Sequence, residues 1–275
     1  MSKRIVSQTM NGLALFIKMS KFISPTDLLA LRRMKRYSPG RARTKLGTIE
    51  YVDSASFLSG VQEIFIDEIY RVNRFSVTPP VIIDCGANIG LSAMYFAQTY
   101  GAKVCAYEAD PVISKVLQRN VEHNVTKGTV EVTNKAVWVD DKGVLFDVEG
   151  AYSGQIHRHG HPLVKESLRL PSVRLRDLIV ETGNANFLKL DIEGAENEAL
   201  LDCAGALDGL EYIFIEWHSV ILDSQYLGEI LNLLKEEGFR YHLQEAFVSS
   251  QPFVRLEEMC GMDLQLNIFA FKSNP

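Results

Sequence analysis

The sequence has no long hydrophobic run and no paired cysteines. The apolar stretch at 12–17 falls far short of the roughly 18 consecutive apolar residues that a membrane span requires. It also lacks the small-residue cleavage site of a secretory signal. The four cysteines are widely separated, and none belongs to a CxxC pair. We therefore expect no transmembrane segment and a location in the reducing cytoplasm.

Nucleic-acid-binding modules, internal repeats and low-complexity segments are also missing, so nucleic acid is not an expected partner. Hydrophobic residues make up 47% of the 275 residues and charged residues 23%. These values are typical of a soluble globular protein with a hydrophobic core. The length suits one α/β domain with an appendage.

Acidic residues are scarce in the first fifty residues, although the formal net charge of the chain is −5. Residues 1–50 hold eleven Lys and Arg against two acidic residues, about +9, whereas the remaining 225 hold eighteen against thirty-two, about −14. Two interpretations stay open. The basic arm meets an anionic partner such as a membrane surface, or it docks onto its own acidic domain.

The basic arm belongs to an extension, 1–79, that we expect to be mainly helical. Residues 24–27 resemble a helix start, and apolar side chains across 57–75 recur at helical spacing. The two prolines in 78–80 end the extension, because the residue before a proline disfavours helix. We expect the extension to form a lid or a dimer contact for the domain at 80–275.

From residue 81 the sequence alternates short apolar strands with helices. Strands are expected at 81–83, 104–107, 130–133, 187–190, 212–215, 241–243 and 266–271, with helices at 91–100, 111–124 and 226–237. This order predicts a Rossmann-like α/β domain with a mostly parallel sheet and helices on both faces. In such sheets ligands bind beyond the carboxyl ends of the strands.

A glycine-rich turn, Asp-Cys-Gly-Ala-Asn-Ile-Gly at 84–90, follows the first of these strands. Gly86 and Gly90 permit a tight turn and close approach of a ligand, and the following helix offers free amides to a carboxylate. The GxxxG spacing differs from the GxGxxG of a dinucleotide site, and Asp84 suits an ammonium group better than a pyrophosphate. S-adenosylmethionine carries both an amine and a carboxylate, so the turn favours this cofactor over NAD.

Two further strand ends carry polar residues suited to an adenosine. Glu108 ends the second strand, where a carboxylate can accept hydrogen bonds from both ribose hydroxyls. Asn134 closes the third strand, where amides of the 134–136 turn can contact an adenine edge. An asparagine that only caps a turn is the competing interpretation of Asn134.

Ionisable side chains crowd the ends of the next two strands. Lys189 and Asp191 share one face of their strand, and Glu196 is interpreted as a helix residue favoured by the helix dipole. Glu216 and His218 project to one side if their strand continues that far. His218 suits a general base near neutral pH, although a structural histidine is an equal alternative.

These motifs together resemble the FkbM-type methyltransferases, which are class I enzymes that use S-adenosylmethionine. The resemblance covers roughly residues 80–220 and rests on four stretches: 81–90, 107–111, 188–196 and 216–218. The Asp-Ile-Glu-Gly-Ala-Glu sequence within 188–196 is its family-specific part. Where this chain has Ala109 after Glu108, the family usually has proline.

The resemblance implies a seven-stranded sheet with a reversed last strand, and methyl transfer to a hydroxyl oxygen of a sugar, glycan or natural product. The residues expected to bind the cofactor are Asp84, Gly86, Ala87, Asn88, Ile89, Gly90, Glu108, Ala109, Asn134, Lys135, Ala136 and Asp191. The residues expected at the catalytic centre are His218, Asp191 and Lys189. His218 is the preferred base, and Asp191 orients the acceptor or serves as the base itself.

Metal-dependent interpretations are possible but less favoured. Asp191, Glu193 and Glu216 offer oxygen ligands for Mg²⁺, but we expect a metal-free site. The three histidines of 157–161 suggest zinc, yet this polar loop has no cysteine partners and fits an acceptor lid better. The basic residues expected to receive an anionic acceptor or lipid-linked glycan are Arg32, Arg33, Lys35, Arg36, Arg41 and Arg43.

Other functions remain open at this point. The same cofactor residues would serve an enzyme that uses the aminopropyl group of S-adenosylmethionine or cyclises the cofactor. A non-catalytic binding module is a further alternative, although the ionisable groups at 189–191 and 216–218 argue against it. A NAD-dependent enzyme is the weakest alternative, given the glycine spacing.

Overall fold

The computed structural model describes residues 12–147, 155–156 and 167–272. The histidines of 157–161 lie outside these described residues. The helices are α1 (12–20), α2 (Pro25–Leu31), α3 (Ser54–Val61), α4 (Leu91–Tyr100), α5 (Pro111–Asn124), α6 (Leu175–Thr182), α7 (Glu196–Leu201) and α8 (Leu227–Glu236). Within the described residues, no helix combines the length and apolar character needed to cross a membrane.

The strands fall into one large sheet and three small ones. The large sheet contains β3 (Val81–Cys85), β4 (Lys103–Tyr107), β5 (Thr129–Thr133), β11 (Phe187–Leu190), β12 (Tyr212–Val220), β13 (Phe239–Phe247) and β14 (Met262–Lys272). The small sheets contain β1 (Gly40–Thr44), β2 (Gly47–Tyr51), β6 (Ala136–Trp138), β7 (Val144–Asp147), β8 (Gln155–Ile156), β9 (Ser167–Leu170) and β10 (Ser172–Arg174).

The large sheet has the order β13-β14-β12-β11-β3-β4-β5. Only β14 is reversed within it, pairing antiparallel with both β12 and β13. The expected Rossmann-like, seven-stranded, mostly parallel sheet with a reversed last strand is therefore confirmed. From β3 the chain runs outward to β4 and β5, then returns to place β11 and β12 on the other side. The carboxyl ends of β3 and β11 thus form the switch point where α/β sheets bind ligands.

Helices cover both faces of this sheet because neighbouring strand residues point to opposite faces. Ile82 packs with α4, α5 and the extension, whereas Ile83 packs with α6, α7 and α8. Both side chains are fully buried. Burial of an isoleucine of this kind contributes about 1.5–3 kcal/mol, so the alternation on β3 stabilises both layers at once.

The extension is less helical than its sequence suggested. β1 and β2 form an antiparallel hairpin, and the helix expected across 57–75 ends its α-helical part at Val61 and continues as a π-helical segment, Gln62–Ile66. The hairpin follows a period-two pattern in which Ala42 and Ile49 are buried while Arg41 and Arg43 face outward. The arginine-rich composition of this segment masks the alternation in the sequence.

The basic residues of the extension find acidic partners close by. Arg43 pairs with Asp27 at 2.8 Å, and Arg36 pairs with Asp53 at 2.9 Å. Arg41 and Arg119 of α5 both pair with Glu50 of β2. Part of the positive charge of the arm is therefore neutralised by carboxylates within the extension.

Candidate functional site

The strand ends at the switch point meet at Gly86. Its φ is +77°, and a Cβ atom there would overlap the carbonyl oxygen of Asp191. Only glycine tolerates both conditions. The amides of Gly86 and Ala87 donate to the carbonyl of Tyr107 at 3.0 and 2.9 Å. The turn after β3 is thereby fixed against the ends of both β4 and β11.

Lys189 connects this turn to the ends of β3 and β11 through polar contacts. Its Nζ donates to the Gly86 carbonyl at 2.9 Å and lies 3.4 Å from Asp84 Oδ1 and 3.2 Å from Asp191 Oδ2. Burial opposes the charge, but Asp191 and Asp84 outweigh burial and raise the pKa of Lys189 well above its usual value. A lysine that stays protonated cannot act as a base, so these contacts indicate a positioning residue.

Asp84 lies behind the turn, fully buried. Its Oδ2 accepts a hydrogen bond from Ser92 Oγ at 2.6 Å, which ties the end of β3 to the first turn of α4. The Asp84 carboxylate therefore supports Lys189 and α4 from within the protein and does not line either of the two cavities described below.

Glu108 is held by backbone amides at the end of β4. Its Oε2 accepts from the Asn88 amide at 2.9 Å and its Oε1 from the Asp110 amide at 2.8 Å. Burial raises the pKa of Glu108 to about 7, and these two amides limit the rise. Each carboxylate oxygen has a second lone pair for a further donor, so Glu108 can accept a ligand's hydroxyl groups while its own position is fixed.

The Asn134 side chain is hydrogen-bonded to the loop that follows β4. Its Nδ2 donates to the carbonyls of Glu108 and Ala109, both at 2.8 Å. The side chain is therefore occupied by the turn, as in the competing interpretation of this residue. The residues that follow it, Lys135 and Ala136, line a groove at this end of the sheet.

This groove runs over the ends of β3, β4 and β11. Its lining includes Gly86, Asn88, Tyr107, Glu108, Ala109, Asp110, Ile113, Lys135, Ala136, Val137, Phe146, Ile156, Asp191, Ile192 and Glu193. The lining combines carboxylates, among them Glu108, with apolar side chains such as Phe146 and Ile156. This combination suits a nucleoside.

A larger cavity of about 410 Å³ adjoins the groove. The two share Gly86, Asn88, Asp191 and Glu193. We call this cavity the chamber. Its walls come from the extension, with Arg36, Tyr37, Asp53 and Glu63, from the strand ends, with Lys189, Glu216 and His218, and from β14, with Met262 and Gln265.

His218 lies at the junction of groove and chamber and is 1% exposed. Its Nδ1 is 3.1 Å from Glu196 Oε1. Glu196 also accepts from the amides of Ile192 and Gly194, so its carboxylate is fixed. This arrangement directs the other imidazole nitrogen, Nε2, toward Glu193 and Glu216, at 3.8 and 3.7 Å.

Acidic side chains crowd the junction. Burial lowers the pKa of His218, but Glu196 and the neighbouring carboxylates outweigh it and raise that pKa well above its usual value. Burial and the nearby Asp191 raise the pKa of Glu216 well above its usual range, and burial raises the pKa of Glu193 to about 8. The junction is thus suited to bind a positive group.

Most of the residues that the sequence assigned to the cofactor and to catalysis line one or both of these cavities. Those of the cofactor set that line the groove are Gly86, Asn88, Glu108, Ala109, Lys135, Ala136 and Asp191. Ala87 and Ile89 line the chamber, as do Lys189, Asp191 and His218 of the catalytic set. Gly90 lies outside both linings and is the N-cap of α4, where a Cβ would crowd Leu117.

Two groups at the site were not identified from the sequence. Glu196 was interpreted as a helix-dipole residue, yet it is fully buried and holds His218. Glu63, whose pKa burial raises, reaches the chamber from the extension. The acidic sequence at 191–196 was a signal for Glu196; no local signal connects Glu63 to residues more than a hundred positions later.

The sequence matches the FkbM methyltransferase domain over residues 84–241, more than half of the chain. The chain belongs to this family. Its methyltransferase domain uses S-adenosylmethionine as cofactor, as predicted, and the groove supplies carboxylates and backbone amides that fit such a group.

Curated relatives agree with this assignment. Methyltransferase 1 of Beauveria bassiana is 28% identical over 50% of this chain and 64% of its own length, and methyltransferase sdnD of Sordaria araneosa is 29% identical over 50% and 66%. The chain spans slightly less than two thirds of the length of these relatives. Among solved structures, the chain is similar to M. jannaschii TYW2 in complex with AdoMet, with 13% identity and a TM-score of 0.47 over 88% of this chain and 89% of that one.

Proposed function

We propose that the chain transfers a methyl group from S-adenosylmethionine to a hydroxyl oxygen of a sugar, glycan or natural product. In this reaction the sulfur–methyl bond breaks, an oxygen–methyl bond forms, and the hydroxyl proton passes to the protein. The observation that carries the proposal is the junction of groove and chamber at Asp191 and Glu193. A donor in the groove and an acceptor in the chamber would meet there.

The groove residues have distinct roles in this proposal. Gly86 and Asn88 of the 86–90 turn receive the methionine part, Glu108 accepts the ribose hydroxyls, and the Lys135–Ala136 backbone borders the adenine. Asp84 and Asn134 act behind the groove, since both are engaged with the protein. The cofactor supplies an activated methyl group on a sulfonium centre. The protein therefore has to align the acceptor with this methyl group, take up the hydroxyl proton and exclude water.

The hydroxyl proton needs an acceptor near the junction. Asp191 lines both cavities and is the favoured group in the ligand-free chamber. His218, preferred from the sequence, has a pKa raised by Glu196 and the neighbouring carboxylates, which makes it a weaker candidate for the base than Asp191.

The chamber also restricts the acceptor. Its lining contains Asp53, Glu63, Asp191, Glu193 and Glu216 as acidic groups. Arg36, the arm arginine that lines the chamber, pairs with Asp53. The cationic side chains of the lining, Arg36, Lys189 and His218, are already paired with carboxylates, so the lining supports a neutral, hydroxyl-rich acceptor.

The test is incubation of the full chain with S-adenosylmethionine and a panel of neutral sugars, glycans and hydroxylated natural products. Mass spectrometry should find an acceptor heavier by one methyl group together with S-adenosylhomocysteine. Release of 5′-methylthioadenosine would instead indicate aminopropyl transfer or cyclisation. Cofactor binding without turnover on any acceptor would favour a binding module and contradict the proposal.

A further inference from the structure

The Nε2 atom of His218 has no hydrogen-bond partner in the described part of the chain, although the side chain is 1% exposed. Its nearest acidic atoms are Glu216 Oε1 at 3.7 Å and Glu193 Oε2 at 3.8 Å. Both distances exceed the roughly 3.2 Å of a good hydrogen bond. A nearly enclosed imidazole nitrogen without a hydrogen bond, facing two carboxylates just beyond hydrogen-bond distance, points to a ligand at the junction.

The spacing of the surrounding groups fits a shared ion. One ligand atom each from Asp191, Glu193 and His218 lie within 4.8 Å of one another. Metal–ligand bonds of about 2.1 Å place two ligands of one octahedral ion about 3.0 to 4.2 Å apart. The His218 distances already fall in this range, and the Asp191 carboxylate lies within 4.8 Å of the same atoms.

The histidine is oriented as metal-bound histidines usually are. Its Nδ1 faces the buried carboxylate of Glu196, which is itself fixed by two backbone amides. A ligating histidine commonly donates its other N–H to a carboxylate in this way, which selects the tautomer with a free Nε2 lone pair. Glu196 is in this sense a positioning residue.

Charge supports the same conclusion. Asp191, Glu193 and Glu216 lie together around His218. Carboxylates crowded in this way are stabilised by a cation in place of protons. Lys189 is already committed to Asp84, Gly86 and Asp191.

We propose that Asp191, Glu193 and the Nε2 atom of His218 bind a divalent cation, with Glu216 as a further oxygen ligand. Carboxylates with one imidazole suit Mn²⁺ or Mg²⁺, and an ion there would leave positions open toward the chamber. Its effect on the reaction, polarising the acceptor hydroxyl, rests on the proposed function, whereas the binding itself does not. This proposal departs from the metal-free centre expected from the sequence.

The test is a titration of Mn²⁺ into the full chain after EDTA treatment and removal of the chelator. Electron paramagnetic resonance measures the free Mn²⁺ at each step. We expect one Mn²⁺ per chain, displaced by Mg²⁺ or Zn²⁺. Glu193→Gln and His218→Ala should each weaken Mn²⁺ binding at least tenfold. The matched controls, Glu245→Gln and His242→Ala, change exposed residues of β13 and should leave binding unchanged.

A folding control accompanies the titration, because His218→Ala leaves Glu196 buried without its partner. Glu193→Gln keeps the side-chain shape, so it is the decisive variant. Mn²⁺ should raise the melting temperature of the wild type but not that of Glu193→Gln. Absence of Mn²⁺, Mg²⁺ and Zn²⁺ binding, or equal binding by Glu193→Gln and the wild type, would overturn the proposal. Calorimetric binding of S-adenosylmethionine, measured separately, tests the proposed function, so the two can fail independently.

Discussion

Cofactor affinity should fall at mildly acidic pH because of Glu108. Its pKa lies at about 7 in the ligand-free protein, mainly through burial. The ribose hydroxyls donate hydrogen bonds, so binding favours the ionised carboxylate. Protonation then competes with the cofactor below pH 7 and has little effect at pH 8.

The magnitude follows from that pKa. If only ionised Glu108 binds the ribose, the apparent Kd of S-adenosylmethionine rises about tenfold between pH 8 and pH 6, or about 1.4 kcal/mol. Close to pH 7, binding should release about half a proton from this group. Titration calorimetry in buffers of different ionisation enthalpy measures both quantities.

Glu108→Gln separates this effect from other titrating groups. The amide keeps the shape but cannot ionise, so affinity should be lower at pH 8 and should lose the tenfold dependence. Glu131→Gln, an exposed change on β5, is the matched control and should retain the wild-type profile. An identical pH dependence in Glu108→Gln and wild type would refute the assignment of Glu108 to the ribose.

Three further changes test other parts of the site. Gly86→Ala should destabilise the fold by about 3 kcal/mol or more in chemical denaturation, because of its positive φ and the overlap with Asp191, whereas Gly209→Ala, which meets open space, should change stability little. Lys189→Met should cost about 3–5 kcal/mol by leaving Asp84 buried without its cation, and stability equal to wild type would contradict the role given to that pair. His218→Ala should lower kcat of methyl transfer while the Kd of S-adenosylmethionine changes little; parallel loss of both would argue against a role confined to the acceptor step.

Elements with a strong local pattern were predictable from the sequence. The apolar run at 187–190 became β11, and the proline-initiated segment at 111–124 became α5, each with the expected bounds. Gly86 and Glu108 were identified because chemistry at a strand end depends on a few adjacent residues. Both line the groove.

Features created by distant contacts could not be predicted in this way. The β1–β2 hairpin is held partly by Asn120, whose side chain accepts from the Glu50 amide and donates to the Glu50 carbonyl, seventy positions away. Glu196 acquires its role from His218, twenty-two positions later on a different element. A local helical or charge pattern contains no information on such pairs, since tertiary packing decides them.

The central claim is that S-adenosylmethionine occupies the groove. Titration calorimetry of the full chain at pH 8, with S-adenosylmethionine and NAD in parallel, tests this directly. We expect one S-adenosylmethionine bound per chain with micromolar Kd, weakened at least tenfold by Glu108→Ala, and no binding of NAD. Binding of NAD in preference to S-adenosylmethionine, or S-adenosylmethionine binding that is unaffected by Glu108→Ala, would contradict the assignment of the groove.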